Sequence, residues 1–435
     1  MRALESRPAR QDSLRERNLA LVLKQIADAL APVSRAEVAA TTGLTRATVS
    51  ALVDALVGSG LVSELEPRVA KATGRPATGL VIDGTRIGGL GVELNVDYLA
   101  AYVVDLAGTV RHREVVREDQ RGRAPERSCA ALAAMVARAV AAVAAEGLVV
   151  AGVAVAVPGL VDWPAGVLRF APNLGWRDID VLGLLSRAAE LTRVPVTVDS
   201  QANFAALGEL HSVPAGPGDF LHVSGEIGVA AGFVVGRELF HGTRGWSGEI
   251  GHVAVEPDGP ACRCGGRGCL ERFAGQEAIL RAIELPIAAG TNLGGQATVG
   301  RIVEAASAGD ARTLQALRTA GRALGIAVAG AINLLDLPEV VLGGIYAPLI
   351  AWIAPELQRE VNRRVLSAAW APVTVRPGTA GPEAAVLGAA GAVTRAVMRD
   401  PAAWLRRSAS ESTSGSASPG FTAVVASQPR VRTSG

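Results

Sequence analysis

Lysine is almost missing from this chain: of 435 residues only Lys24 and Lys71 are lysine, so nearly all the positive charge is arginine. Aromatics are also scarce, at 4%, although 49% of the residues are hydrophobic, so small aliphatic side chains must fill the core. A core without many rings asks for close backbone packing, which the 50 glycines permit. Cysteine is rare, with four in all, and Cys262, Cys264 and Cys269 crowd into one short stretch. That pattern is not the framework of a disulfide-stapled fold. Cys129 stands alone in a helical pattern and is expected in the core. No apolar run approaches the roughly 20 residues of a membrane helix, and the N-terminus carries charges where a secretory signal would be apolar. These absences point to a cytoplasmic protein with no membrane partner. Net charge is +2, too small to argue for nucleic acid across the whole chain. Residues 1–82 hold eleven Lys/Arg against eight Asp/Glu, a local excess that permits DNA contact without establishing it.

What is present reads as two domains between flexible ends: a charged N-terminus over 1–18, a small helical domain over 19–83, a body over 84–400 and a tail over 401–435. Leu19, Val22, Ile26, Ala29 and Leu30 recur at helical spacing, and Pro32 ends that helix. Ser34 to Glu37 reads as a capping box opening a second helix. Thr45 caps a third, in which Val49, Leu52, Val53, Leu56 and Val57 form one apolar stripe. Leu61–Leu65 and Thr78–Ile82 read as two strands joined by a basic loop. Helix, helix, turn, helix and hairpin is the order of a winged helix-turn-helix. Its third helix would lie in the major groove of double-stranded DNA, with Arg46, Thr48 and Ser50 outward near its start. Arg75, held extended by the following Pro76, would add a minor-groove contact. From Asp83 onward strand and helix patterns alternate, with a strand-like run over 91–106 and buried strands at Val149–Val157, Val194–Val198 and Leu221–Val223. That alternation argues for an α/β body. The Ser- and Thr-rich tail is expected to be disordered.

The most specific motif is Cys262-Arg263-Cys264-Gly265-Gly266-Arg267-Gly268-Cys269. Three thiols separated by glycine allow a tight backbone to wrap one ion, and His252 stands ten residues upstream. A structural zinc site of His252, Cys262, Cys264 and Cys269 follows from zinc's preference for four Cys and His ligands.

With Gly248-Glu249-Ile250-Gly251-His252, Val157-Pro158-Gly159 and Ala171-Pro172-Asn173-Leu174-Gly175-Trp176, this knuckle resembles the ROK family (repressors, open reading frames and kinases). The resemblance covers a sugar-kinase-like body over about 88–400 and the winged helix-turn-helix of the family's regulators. It implies an actin-like ATPase, ribonuclease H-like fold of two α/β lobes with a sugar between them. Carried over by position, sugar contacts fall on Asn173, Glu249, His252 and Glu271. His252 would use one ring nitrogen for zinc and turn the other to the sugar. Trp176 and Trp246 would serve either as a ring platform or in the core.

The chain departs from the family's kinases at three places. Glu93-Leu94-Asn95-Val96-Asp97 stands where they carry Asp-x-Gly-Gly-Thr, and Glu226-Ile227-Gly228-Val229-Ala230 where they carry Gly-Thr-Gly-x-Gly. Ser200-Gln201-Ala202-Asn203 replaces Asn-Asp-Ala-Asn, and the Gln201 amide cannot act as a general base. Asp199 should point the other way along its strand. Ser200 and Gln201 are then contacts of a sugar or sugar derivative in a pocket that needs no ATP. The expectation is a sugar-responsive transcriptional regulator, a repressor working as a homodimer or homotetramer on an operator. The alternatives are an active sugar kinase with an accessory DNA-binding domain and a constitutive DNA binder with a ligand-free body.

Overall fold

A computed structural model describes residues 11–65, 78–187, 191, 194–213, 216, 218–284 and 296–413. The N-terminal head contains α1 (Gln11–Ala27), α2 (Arg35–Thr42), α3 (Arg46–Gly58), β1 (Val62–Leu65) and β2 (Gly79–Ile82). The Ser34 hydroxyl accepts from the Glu37 amide while the Glu37 carboxylate accepts from the Ser34 amide at 2.7 Å, a cap contributing about 1 kcal/mol. Thr45 caps α3 through the Thr48 amide. Val49, Leu52, Val53 and Leu56 of α3 are buried, while Val57 is half-buried. The wing strands pair antiparallel. Helix α1 begins at Gln11, inside the segment expected to be flexible, and ends at Ala27, short of Pro32. Arg75 and the loop around it lie outside the described residues.

The body runs β3 (Ile87–Leu94), β4 (Tyr98–Asp105), β5 (Val110–Arg117), α4 (Pro125–Ala144), β6 (Val149–Val157), β7 (Leu160–Asp162), β8 (Val167–Ala171), β9 (Trp176–Asp180), α5 (Val181–Leu185), β10 (Val196–Ser200) and α6 (Gln201–Ser212). It continues with β11 (Phe220–Gly225), β12 (Val229–Val235), β13 (Glu238–Leu239), α7 (Glu271–Ala274), α8 (Gln276–Ala282), α9 (Gln296–Ser307) and α10 (Ala311–Leu335). Then come β14 (Glu339–Gly344), α11 (Tyr346–Arg364), β15 (Thr374–Pro377), α12 (Ala384–Arg399) and α13 (Pro401–Thr413). The run expected as one strand over 91–106 is two, β3 and β4, reversing at Asn95–Asp97, where the Asn95 amide donates to the Tyr98 carbonyl at 2.9 Å. Strands β7 to β9 form a small sheet that the residue pattern did not suggest.

Two sheets repeat one topology. In the first lobe the order is β10-β6-β3-β4-β5, and in the second β13-β12-β11-β14-β15. Each is an antiparallel meander of three strands extended by two parallel strands on the side of its first strand. Parallel strands need crossover helices, which α4 and α11 provide. Against the expectation of no such run, helix α4 is long and apolar enough by length and composition to cross a membrane. Here it lies on the first sheet, with Cys129, Leu132, Met135, Val136, Ala139 and Val143 buried. Helix α12 returns to the first lobe and packs on β3, β6 and α6. A Cβ at Gly388 would come within 1.8 Å of the Phe204 carbonyl, so α12 reaches α6 only because that residue is glycine.

The C-terminal segment corrects an expectation. Residues from 401 do not begin as a disordered tail: they form α13, and Trp404 is 8% exposed in a core shared with Leu19, Val22, Leu23 and Leu56 of the head. Trp404 Nε1 donates to the Ser59 carbonyl at 3.4 Å, and Arg406 pairs with Glu16. Proline at the start of α13 suits a first helical turn, whose amide needs no partner.

Candidate functional site

The cleft between the two lobes holds a cavity of about 330 Å³. Each residue expected to touch sugar lines it: Asn173, Ser200, Gln201, Glu249, His252 and Glu271. They arrive from separate elements. Asn173 sits in the turn between β8 and β9, Ser200 ends β10, and Gln201 starts α6. Glu249 precedes a short 3₁₀ turn that carries His252, and Glu271 opens α7. Ser200 also caps α6 through the Ala202 amide at 3.2 Å. Arg263 donates to Asn173 Oδ1 at 3.2 Å, and the amide nitrogen of Asn173 and Oε2 of Glu271 both face Gly228. Arg263 also pairs with Glu277 at 3.2 Å. Burial raises the Glu249 carboxyl; His252 opposes that shift and Glu271 adds to it.

Two tryptophans expected as possible ring platforms do not line the cavity. Trp176 is in the core, donating to the Arg123 carbonyl at 2.9 Å. Trp246 donates to Asp162 Oδ1 at 2.8 Å with Arg244 over its ring. Phe170, His222 and Ser224 line the cavity instead, none of them singled out in the sequence. Their strand positions carry no motif; only the folding of β8 and β11 against the cleft brings them in. Burial pushes His222 down to about 4, so its imidazole is neutral.

The knuckle places its four donors together. A ring nitrogen of His252 and the sulfurs of Cys262, Cys264 and Cys269 lie within 4.8 Å of one another. The Cys264 and Cys269 sulfurs are 3.7 Å apart, and His252 Nδ1 is 3.8 Å from the Cys262 sulfur. A tetrahedral centre with zinc–sulfur bonds of about 2.3 Å sets its sulfurs about 3.8 Å apart, so the donor set fits such an ion. The Gly266 amide faces the Cys264 sulfur at 3.4 Å. Gly268 has φ 63°, and a Cβ there would lie 1.5 Å from the Glu256 carbonyl, so the wrap admits only glycine. The Nε2 of His252 faces Glu249 Oε2 at 3.9 Å, so the ring stands between the donor cluster and the cavity.

In the turn after β3 and in the residues after β11 the structure gathers carboxylates. Glu93 and Asp97 are buried, and Glu226 lines the cavity. Asp199 turns away from the cavity, as its strand position suggested. Its Oδ2 lies 2.8 Å from His241 Nε2, its Oδ1 accepts from Asn203, and His241 stacks on Trp163.

On α3, Arg46 is exposed while Thr48 is half-buried. Thr48 Oγ1 bonds Thr45 Oγ1 at 2.8 Å. Ser50 is not free on the outer face: its hydroxyl accepts from Arg35 at 2.8 Å, and Arg35 also pairs with Asp54 and Glu64. Among the described residues Arg46 is therefore the charged group presented at the start of α3.

Comparison with known proteins places these features. The ROK family model matches residues 89–396, and the IclR helix-turn-helix domain model matches residues 17–66. The xylose repressor of Bacillus subtilis (strain 168) is 29% identical over 386 residues, covering 87% of this chain and 95% of that protein. The N-acetylglucosamine repressor of Escherichia coli O157:H7 is 28% identical over 362 residues, covering 82% and 87%. A solved ROK family transcriptional regulator, a homolog of the E. coli MLC protein, superposes with a TM-score of 0.74 over 91% of this chain and 98% of that one. At 24% identity that last likeness speaks to the fold.

Proposed function

This chain belongs to the ROK family and carries an IclR-type helix-turn-helix, and from that premise we propose that it is a DNA-binding repressor released or engaged by a sugar held in the cleft. Relatives named as xylose and N-acetylglucosamine repressors support the reading over most of the chain. The observation that carries it is the convergence of Asn173, Ser200, Gln201, Glu249, His252 and Glu271 on one cavity, in a chain whose head exposes Arg46. Hydroxyl-rich ligands are selected by paired donors and acceptors, because a mismatched ligand leaves buried polar groups unpaired. The head would bind double-stranded DNA, which places the protein in the cytoplasm, and a two-fold operator would require a homodimer or homotetramer. His252, Cys262, Cys264 and Cys269 would hold zinc, which when bound supplies a structural crosslink. His252 itself would then be fixed with Nε2 toward the ligand.

The same cavity is poorly suited to phosphoryl transfer. Asn95 and Val96 line the cavity where the kinases carry two loop glycines, so side chains block the close approach of a phosphate, and Gln201 cannot take a proton from a hydroxyl. The ligand acts by preferring one lobe arrangement over another, and shifts operator affinity only by that preference. Operator fragments from upstream of the chain's own gene should bind the purified protein. D-xylose, D-glucose or N-acetylglucosamine should change that affinity, without ADP release when ATP is added. Sugar-dependent ADP release would instead make the chain a kinase with an accessory head; operator binding indifferent to every sugar would make it a constitutive binder.

A further inference from the structure

One chain of side chains crosses the cleft. Glu226 follows β11 in the second lobe, and Asn95 follows β3 in the first. Asn95 Nδ2 donates to Glu226 Oε2 at 2.7 Å and to Glu93 Oε1 at 3.1 Å, so one amide ties two carboxyl groups together across the cleft. Glu93 Oε1 also accepts from the Tyr98 hydroxyl at 2.8 Å and from Gln201 Nε2 at 2.7 Å. Gln201 Nε2 reaches the Leu94 carbonyl at 3.4 Å as well, so both its hydrogens face the protein. The carbonyl oxygen of Gln201 is left for the cavity it lines.

The other oxygen of Glu93 is the informative atom. Glu93 is 1% exposed, and its Oε2 is buried without a hydrogen-bond partner. A desolvated, unpaired carboxylate oxygen is costly, and a proton placed on the group removes its charge. The groups facing the pair are Tyr98 from β4, Asn95 and Asp97 from the turn, and Gln201 from α6. None is a cation. Burial is the first cause that raises Glu93 to about 7 and Glu226 to about 8; Asp97 adds to both, while Tyr98, Asn95 and Gln201 pull Glu93 down.

We propose that Glu93, Asn95 and Glu226 form a proton-holding latch between the lobes, and that Glu93 is a positioning residue that fixes Gln201 as a hydrogen-bond acceptor for the ligand. The positioning half rests on the sugar-binding reading; the latch itself does not. With the lobes apart, both carboxyl groups return toward ordinary values. The latch is therefore fully formed below the ordinary carboxylate range and is lost as pH rises through about 7 to about 8. Asn95 holds both carboxyls only while at least one is neutral, so losing the last proton sets two negative charges against each other across the cleft.

The test uses the full chain. Without ligand, an infrared titration from roughly pH 6 to roughly pH 9 should show a buried protonated carboxyl band that disappears with rising pH, together with an expansion in X-ray scattering. Glu226→Gln keeps the shape and the hydrogen bond from Asn95, so it should remove most of the band's titration and leave the scattering flat. Glu93→Gln serves as the second variant with the same expected result, should the first fail to fold. With D-xylose, D-glucose and N-acetylglucosamine as probes, affinity in the wild type should fall about tenfold per unit of pH through this window and stay level in Glu226→Gln. No protonated band, or a band and scattering curve unaltered by both variants, overturns the latch. If no sugar binds the wild type at any pH, the ligand reading and the positioning role fall, while the infrared and scattering results still decide the latch.

Discussion

His252 shows how much one side chain can be asked to do. Its Nδ1 lies 3.8 Å from the Cys262 sulfur, while its Nε2 faces Glu249 at the cavity. That division follows from chain geometry: Glu249 caps the 3₁₀ turn that His252 ends, so the carboxylate and the imidazole are fixed relative to each other. The four donors were legible in the sequence because Gly and Cys at this spacing leave few other uses. The orientation of the ring was not, since it depends on the knuckle folding over the turn. Cys269→Ser should lower bound zinc, measured by elemental analysis, from about one equivalent per chain to less than half, since zinc centres of this kind need all four ligands. Sugar affinity should weaken in the same protein because His252 loses its anchor; full zinc occupancy in the variant would refute the assignment. Ser50 teaches the converse. Its position on α3 suggested an outward hydroxyl, but Arg35 from α2 claims it, a pairing over 15 residues of sequence that no local pattern encodes.

Among the elements, α13 departs most from expectation. Its sequence, Ser- and Arg-rich after Trp404, carries little helical signal, yet Trp404 completes the core of the head from the far end of the chain. Local composition could not reveal this because the apolar face it covers belongs to α1, nearly 400 residues away. Trp404→Ala should cost about 3 kcal/mol of head stability, read as an earlier transition in chemical denaturation and as weaker operator binding. An unchanged denaturation curve would mean that α13 only rests on the head. The capped helices α2 and α3 behaved oppositely: Ser34, Glu37 and Thr45 announced their boundaries in the sequence and sit at them in the structure.

Across the whole molecule, head and ligand body share one physical path. Helix α12 packs on β3 and α6, which carry Glu93 and Gln201 at or beside the cavity, and it continues through Asp400 into α13 against α1. A change in the cleft has a packed route through α13 and α1 to α3. Arg46 is the exposed cation at the start of that helix, and Arg46→Ala should weaken operator binding by about 1–3 kcal/mol in a fluorescence titration while leaving sugar affinity intact. Equal operator affinity would move the contact elsewhere. With the six cavity residues pointed to by the resemblance to the ROK family, the sequence by itself determined the two domains, the alternating α/β body and the cluster of one histidine and three cysteines. These are carried by helical periodicity, caps and short motifs whose chemistry is local. Tertiary structure alone decided the doubled sheet topology, the return of α12 and α13 to the head, and the Glu226–Asn95–Glu93–Gln201 chain across the cleft. Each of these joins segments distant along the chain, and whether two carboxyl groups share one buried amide depends on burial and distance, which no local pattern of residues specifies.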